Sequence, residues 1–252
     1  MRNQPYKTYP KSLRTTGKPM PYTMKVLLFF GLNGILALII QAFPVASTLH
    51  VMFTMLVGLF LLVDSAEPYR LINWMGYVVG AELMWRGTGA NTFWETGKYA
   101  LIAFFFLAML KCKGQFQSKK GLIFYFVLLI PSIFVMPFFD REEIAFALAG
   151  PFAIMMGSLF FSQHQINLNQ LKKLLIAILS SVIIFSILAL IGVITAETIE
   201  FSQASLLITS ANTGPNQASS ILALGAFAAV IYAILEKERK FLPFFVLLMG
   251  LG

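Results

Sequence analysis

Apolar stretches of membrane-spanning length recur along this chain with short polar breaks between them, and that recurrence restricts the fold more than any single motif. They can be drawn at residues 26–43, 47–63, 71–86, 98–110, 121–139, 143–162, 174–195, 217–235 and from 241 onward. Only 12% of the residues are charged and 58% are hydrophobic, whereas an ordinary soluble domain carries roughly 25% charged residues. A water-soluble core of this size would need a polar shell that the chain cannot supply. The sequence therefore predicts an all-α, polytopic transmembrane helix bundle of about nine spans, with a basic tail over 1–25 and a membrane domain over 26–252. The third and fourth spans are the weakest, each short and charged at one end.

The net charge of +8 raises the question of nucleic acid, but the basic residues sit in short loops between apolar runs and form no aromatic-interleaved patch. Nucleic acid is therefore not an expected partner, and the charge reads as a topology signal. Counting Lys and Arg in alternate loops puts the N-terminal tail (Arg2, Lys7, Lys11, Arg14, Lys18, Lys25) in the cytoplasm. Arg70, the loop with Lys111, Lys113, Lys119 and Lys120, the pair Lys172 and Lys173, and Lys237, Arg239 and Lys240 share that side. Outside remain Arg86, Lys98 and Arg141. Omitting either weak span would break the alternation.

Some 25 polar residues precede the first span and no small-residue cleavage site follows it, so the first span is expected to be a retained anchor. Pro131 and Pro137 in span five and Gly150-Pro151 in span six are expected to kink their helices. The longest polar stretch after the tail runs from Ala196 to Asn216, and its middle, Phe201 to Thr209, is amphiphilic enough to lie along the outer interface. The last apolar stretch reaches only from Phe241 to Gly252, about 18 Å of helix against a hydrocarbon core of roughly 30 Å. That half-span predicts a truncated last helix and a sequence that is the front portion of a longer protein or a truncated copy of one.

Metal and thiol chemistry find little material. The lone Cys112 lies between Lys111 and Lys113, and the two histidines, His50 and His164, are far apart in sequence, which argues against a disulfide framework or a metal site. His50 falls inside span two and His164 on the cytoplasmic side, so neither suits a base at the outer surface. No nucleophile, base and orienter can be assembled.

Ionisable residues gather instead between Tyr77 and Tyr99, where Glu82, Arg86, Glu95 and Lys98 fall at the outer ends of spans three and four. Charges at membrane depth are costly enough to be functional candidates by default. Glu82 and Arg86 stand four apart, on one helix face in the favourable order. The plainer alternative is a structural ion pair flanked by interfacial anchors Trp85 and Trp94, and Thr92-Phe93-Trp94-Glu95 also fits a capping box that starts span four. Arg86 and Lys98 run against the positive-inside bias, which suggests an external need for them.

A second stretch, Asn212-Thr213-Gly214-Pro215-Asn216-Gln217, falls at the outer end of span eight. Pro215 suits the first helical position, Gly214 the cap, and Asn216 and Gln217 the first turn. Free N–H groups there and the positive end of the helix dipole suit a phosphate. Behind it, Ser219, Ala223 and Ala226 form one small-residue stripe and Gly225 to Ala229 another; the plainer role of all these residues is packing. Asp140-Arg141-Glu142-Glu143 reads as a turn in which Asp140 caps span six.

At these two stretches the chain resembles the O-antigen ligase and O-antigen polymerase family of bacterial glycan-assembling membrane proteins. Gly214-Pro215-Asn216-Gln217, followed by Ala218 and a small-residue helix, is similar to the motif that opens that family's core domain, here near residue 210. Gly80-Ala81-Glu82, Trp85-Arg86, Trp94-Glu95 and Gly97-Lys98-Tyr99 resemble exopolysaccharide-type members. The resemblance implies metal-independent, cofactor-free glycosyl transfer or polymerisation on the periplasmic face of the inner membrane, from an undecaprenyl-pyrophosphate-linked glycan to a sugar acceptor. Arg86, Lys98, Glu82, Asn216 and Gln217 would then bind substrate, while the catalytic residues, a Ser-Arg-Gly-like motif and an external loop are expected beyond residue 252. Two other classes stay open: a transporter or flippase of a polyanionic lipid or glycan, and a non-catalytic membrane scaffold.

Overall fold

The computed structural model describes residues 20–64, 68–111, 120–135, 141–195 and 211–236. Among them every regular element is helical: α1 (Tyr22–Ala42), α2 (Pro44–Val63), α3 (Pro68–Gly87), α4 (Thr96–Lys111), α5 (Lys120–Leu129), α6 (Arg141–Phe161), α7 (Leu168–Thr195) and α8 (Pro215–Glu236). The apolar stretch from 241, the segment Phe201 to Thr209, Pro137 and Asp140 lie outside the described residues.

Three of these helices, α2, α7 and α8, are long and apolar enough to cross a membrane. The outward faces of α1, α2 and α5 carry exposed Leu32, Leu38, Phe53, Phe60 and Phe124, a surface suited to hydrocarbon rather than water. Backbone groups along such faces need internal partners, and helices supply them. Stretches three and four, short as they are, do form helices. At Pro131, which has no N–H to give the ladder, α5 passes into a 3₁₀ segment, Ile130–Val135. By contrast α6 runs on through Pro151.

The core lies between α3 and α7. Val182, Ile183, Ile184 and Phe185 are four successive residues of α7, all fully buried, so α7 is surrounded on every side there. The close approach of α3 is made by Gly76 and Gly80: a Cβ on Gly80 would collide with Ser181 Oγ, and one on Gly76 with Leu174. Small residues four apart let helix backbones meet where hydrocarbon gives no hydrophobic drive for association. On α8 the packing face is Ala218, Leu222, Gly225, Ala228 and Ala229, while Ser219 and Ala223 are exposed. Of the two expected stripes, Gly225 to Ala229 lies on the packing face, while in the other Ser219 and Ala223 are exposed and Ala226 is partly buried against the core.

Contacts between helix ends fix the relative directions. Gly76 meets Leu174 and Gly80 meets Ser181, so α3 and α7 run parallel. Lys172 at the start of α7 pairs with Glu236 at the end of α8 at 3.1 Å, and Arg70 at the start of α3 pairs with Asp64 just after α2 at 3.9 Å. Lys111 closes α4 and donates to Leu62 O and Val63 O, both at 2.7 Å, supplying partners to carbonyls that a helix C-terminus leaves open. One end of the bundle therefore holds Arg70, Lys111 and Lys172, and the other holds Arg86, Lys98 and the start of α8.

Candidate functional site

The end of α3 is held in place before any ligand is considered. Ser47, fully buried at the start of α2, hydrogen-bonds Thr88 at 2.6 Å, and Asn91 N–H donates to Thr48 Oγ1 at 2.9 Å. Gly89 takes the left-handed conformation at φ +67°, which costs a glycine little, and the loop returns through Ala90 N–H to Trp85 O at 3.0 Å. The following loop reaches α4, which starts at Thr96. The Thr92–Glu95 capping box does not form. Thr92 N–H turns back to Ala90 O at 2.8 Å, and Glu95 stands just ahead of the helix, its carbonyl accepting from Tyr99 N–H at 3.1 Å.

From the third direction comes the turn before α8. Ala211 and Asn212 adopt positive φ (49° and 60°), and Gly214 sits at φ +95°, a backbone region that glycine alone occupies without strain. Gly214 O accepts from Gln217 N–H at 3.2 Å and Ala218 N–H at 3.0 Å, so glycine is the cap and Pro215 the first helical residue, in keeping with its missing N–H. Asn212 reaches Gly87 O at 3.4 Å, and a Cβ on Gly87 would run into Ala211 O. That glycine is what lets the turn lie against α3.

These three pieces bring Glu82, Arg86, Lys98, Asn216 and Gln217 to the wall of one cavity of about 500 Å³, together with Ser220. The side chains of Arg86 and Glu82 are only 9% and 12% exposed, Glu95 3% and Lys98 31%. Arg86 Nη2 donates to Gln217 Oε1 at 3.1 Å, and its guanidinium lies 4.3 Å from the centre of the Trp94 ring, within cation–π range. Its approach to Glu82 is 3.7 Å, an ion pair too long for a hydrogen bond. Lys98 pairs with Glu95. Three buried atoms of the group, Arg86 Nε, Glu82 Oε1 and Glu95 Oε2, have no hydrogen-bond partner.

Such atoms are costly to leave unmet, and together with the long Arg86–Glu82 pair they describe a site loosely satisfied by its own side chains. Two acids balance two cations. The guanidinium can offer a planar pair of N–H groups to an anion.

Two features of the site escape a reading from sequence. Gly97 makes room for Glu82: a Cβ there would stand 2.7 Å from Glu82 Cβ and 2.8 Å from its Oε2. Trp85, expected as an interfacial anchor with Trp94, is buried in the core and donates to His50 Nδ1 at 2.8 Å. Its neighbour Arg86 faces the cavity because the helical turn rotates successive residues onto different faces. Trp94 alone remains exposed. A second cavity of about 470 Å³ lies at the same end, lined in part by Gln41, Thr88, Gly89 and Asn212, whose polar groups are neutral.

Fold and site together define a class, an all-helical bundle with membrane-length apolar helices and a charged cleft at one end. Beyond that class, comparison of the chain with protein-family models, with curated proteins and with solved structures finds no match.

Proposed function

We propose that the chain is a multi-spanning protein of the bacterial inner membrane, with about nine spans and a cytoplasmic N-terminus, that binds an undecaprenyl-pyrophosphate-linked glycan on the periplasmic face for transfer or polymerisation. The observation that carries this reading is the convergence of Arg86, Lys98, Asn216 and Gln217 on one cavity at the N-terminus of α8, with the Arg86 Nε unpartnered. Supporting it is the end of the bundle on which they meet, opposite Arg70, Lys111 and Lys172.

In glycosyl transfer the acceptor hydroxyl oxygen bonds to the anomeric carbon and releases its proton to solvent, while the bond to the pyrophosphate oxygen breaks and the pyrophosphate leaves with the electron pair. Arg86 and Lys98 meet the charge that develops on that oxygen, and donors placed where charge grows lower the barrier directly. The positive end of the α8 helix dipole adds to this. Glu82 and Glu95 hold the cations in position before the ligand arrives. The neutral cavity lined by Gln41, Thr88 and Asn212 suits the hydroxyl-rich part of the ligand.

The test is a binding series on the purified full chain in detergent with undecaprenyl pyrophosphate, undecaprenyl phosphate and undecaprenol. The reading expects affinity to fall in that order, and to fall again with added salt. Equal affinity for the alcohol and the pyrophosphate would overturn it.

A further inference from the structure

At the opposite end of α3 from Arg86, a third cavity of about 590 Å³ opens between α1, α2 and α3. Arg70 and Arg86 are sixteen residues apart on that helix, about 24 Å at 1.5 Å per residue, so the two cavities are separate. Leu36, Phe53, Val57, Leu61 and Trp74 give apolar walls, and Arg70, Asn73 and Tyr77 add a polar stripe along α3 at three- and four-residue spacing. Residues so spaced share one helix face.

The stripe is chemically specific. Trp85 Nε1 can only donate, and it donates to His50 Nδ1 at 2.8 Å. His50 is therefore neutral with its proton on Nε2, and that proton goes to the Tyr77 oxygen, also at 2.8 Å. The Tyr77 hydroxyl hydrogen is left to donate into the cavity. One turn nearer the surface, Asn73 Oδ1 is buried with no hydrogen-bond partner. At the mouth, Arg70 is half exposed and paired with Asp64 at 3.9 Å. Lys111 stands close by on Leu62 O and Val63 O, and the N-terminus of α3 adds the positive end of its dipole. Among the described residues the mouth thus carries two cations, Arg70 and Lys111, to one acid, Asp64.

We propose that this cavity binds an acidic glycerophospholipid of the leaflet on the Arg70 side. Its phosphate sits at Arg70, an ester carbonyl accepts from the Tyr77 hydroxyl, and an acyl chain fills the apolar walls. The ends of the ligand match the order of the site, charge at the surface, hydrogen bonding one to two turns in, and hydrocarbon alongside.

The experiment is native mass spectrometry of the purified full chain with equal amounts of phosphatidylglycerol and phosphatidylcholine. A basic residue at the surface attracts acidic lipid enough to favour the phosphatidylglycerol adduct about fivefold. Arg70→Gln should bring the ratio close to one while total lipid retention persists, and Arg70→Lys should keep most of the preference. Tyr77→Phe should lower retention of both lipids alike, and Gly31→Ala, where a Cβ meets nothing within 4 Å, should change neither quantity. Equal adducts on the unmodified chain, or an unchanged ratio in Arg70→Gln, would overturn the proposal. Undecaprenyl pyrophosphate affinity of Arg70→Gln should stay at the unmodified level, so this proposal and the pyrophosphate reading fail or stand independently.

Discussion

Gly97 of α4 lies directly against Glu82 of α3, so close that a methyl group at Gly97 would stand 2.7 Å from Glu82 Cβ. Because that neighbour is the base of the side chain and not its flexible tip, the helices themselves must part to admit a larger residue. Gly97→Ala should cost about 1–3 kcal/mol, the usual range for overpacking, and should move Glu82 off Arg86. Gly31→Ala is the control, since a Cβ there meets nothing within 4 Å and alanine is the better helix former. Thermal unfolding in detergent checks both: a clear drop for Gly97→Ala, and no drop or a rise for Gly31→Ala. Equal behaviour of the two would show that the α3–α4 contact is looser than described.

The chain from Trp85 through His50 to Tyr77 makes a second prediction. Trp85→Phe leaves His50 Nδ1 buried without a donor, which should cost about 1–3 kcal/mol beyond any packing loss. His50→Leu leaves both Trp85 Nε1 and the Tyr77 hydroxyl without their partner. The combined Trp85→Phe, His50→Leu chain should lose less than the sum of the single losses, because residues in one hydrogen-bond network are not additive. Unfolding temperatures of the three variants measure this, and simple additivity would mean that the Trp85–His50 hydrogen bond contributes no coupling energy.

Topology gives a third. With Cys112 changed to serine, the chain has no other cysteine, so single introduced cysteines report sidedness cleanly. Gln115→Cys should react with a membrane-impermeant maleimide only after the cells are opened, and Asn91→Cys should react in intact cells. Asn91 belongs with the Arg86 end of the bundle through its bond to Thr48. Labelling of position 115 from outside would invert the proposed orientation.

How far the sequence carried these conclusions differs from residue to residue. Helicity was legible throughout, since apolar runs of this length leave the backbone no other way to satisfy itself in hydrocarbon. The Gly214-Pro215 start of α8 was legible too, because cap and first-turn preferences are local. The pairing of Glu82 with Arg86 follows from their spacing alone. The meeting of Arg86 with Gln217, 131 residues away, is a tertiary fact that no local pattern encodes. The burial of Trp85 is not legible, because amphipathic indole at a span end reads as an interfacial anchor, and only the fold brings His50 to its N–H. A small-residue signal, Gly76 and Gly80 four apart, was present for the α3–α7 contact. Gly97 gave no such sign, since the residue it accommodates lies on another helix.

The guanidinium of Arg86 supplies the most discriminating test of the proposed function. It is held from three sides, by Gln217 Oε1 at 3.1 Å, by the Trp94 ring at 4.3 Å and by Glu82 at 3.7 Å, yet its Nε has no partner. Lysine in its place keeps the charge and loses the planar fork and the stacking face, so Arg86→Lys separates geometry from charge count. Hydrogen bonds to charged groups contribute about 1.5–3 kcal/mol each, so Arg86→Lys should weaken undecaprenyl pyrophosphate binding roughly tenfold or more. Arg86→Ala should weaken it further, with membrane insertion and expression close to normal because Glu82 retains Lys98 nearby on the same cavity wall. Glycan assembly in cells carrying each variant should fall in the same order. Unimpaired assembly by Arg86→Ala would remove Arg86 from the mechanism. Loss of folded protein in that variant, with binding by Arg86→Lys at the unmodified level, would make it a structural ion pair instead.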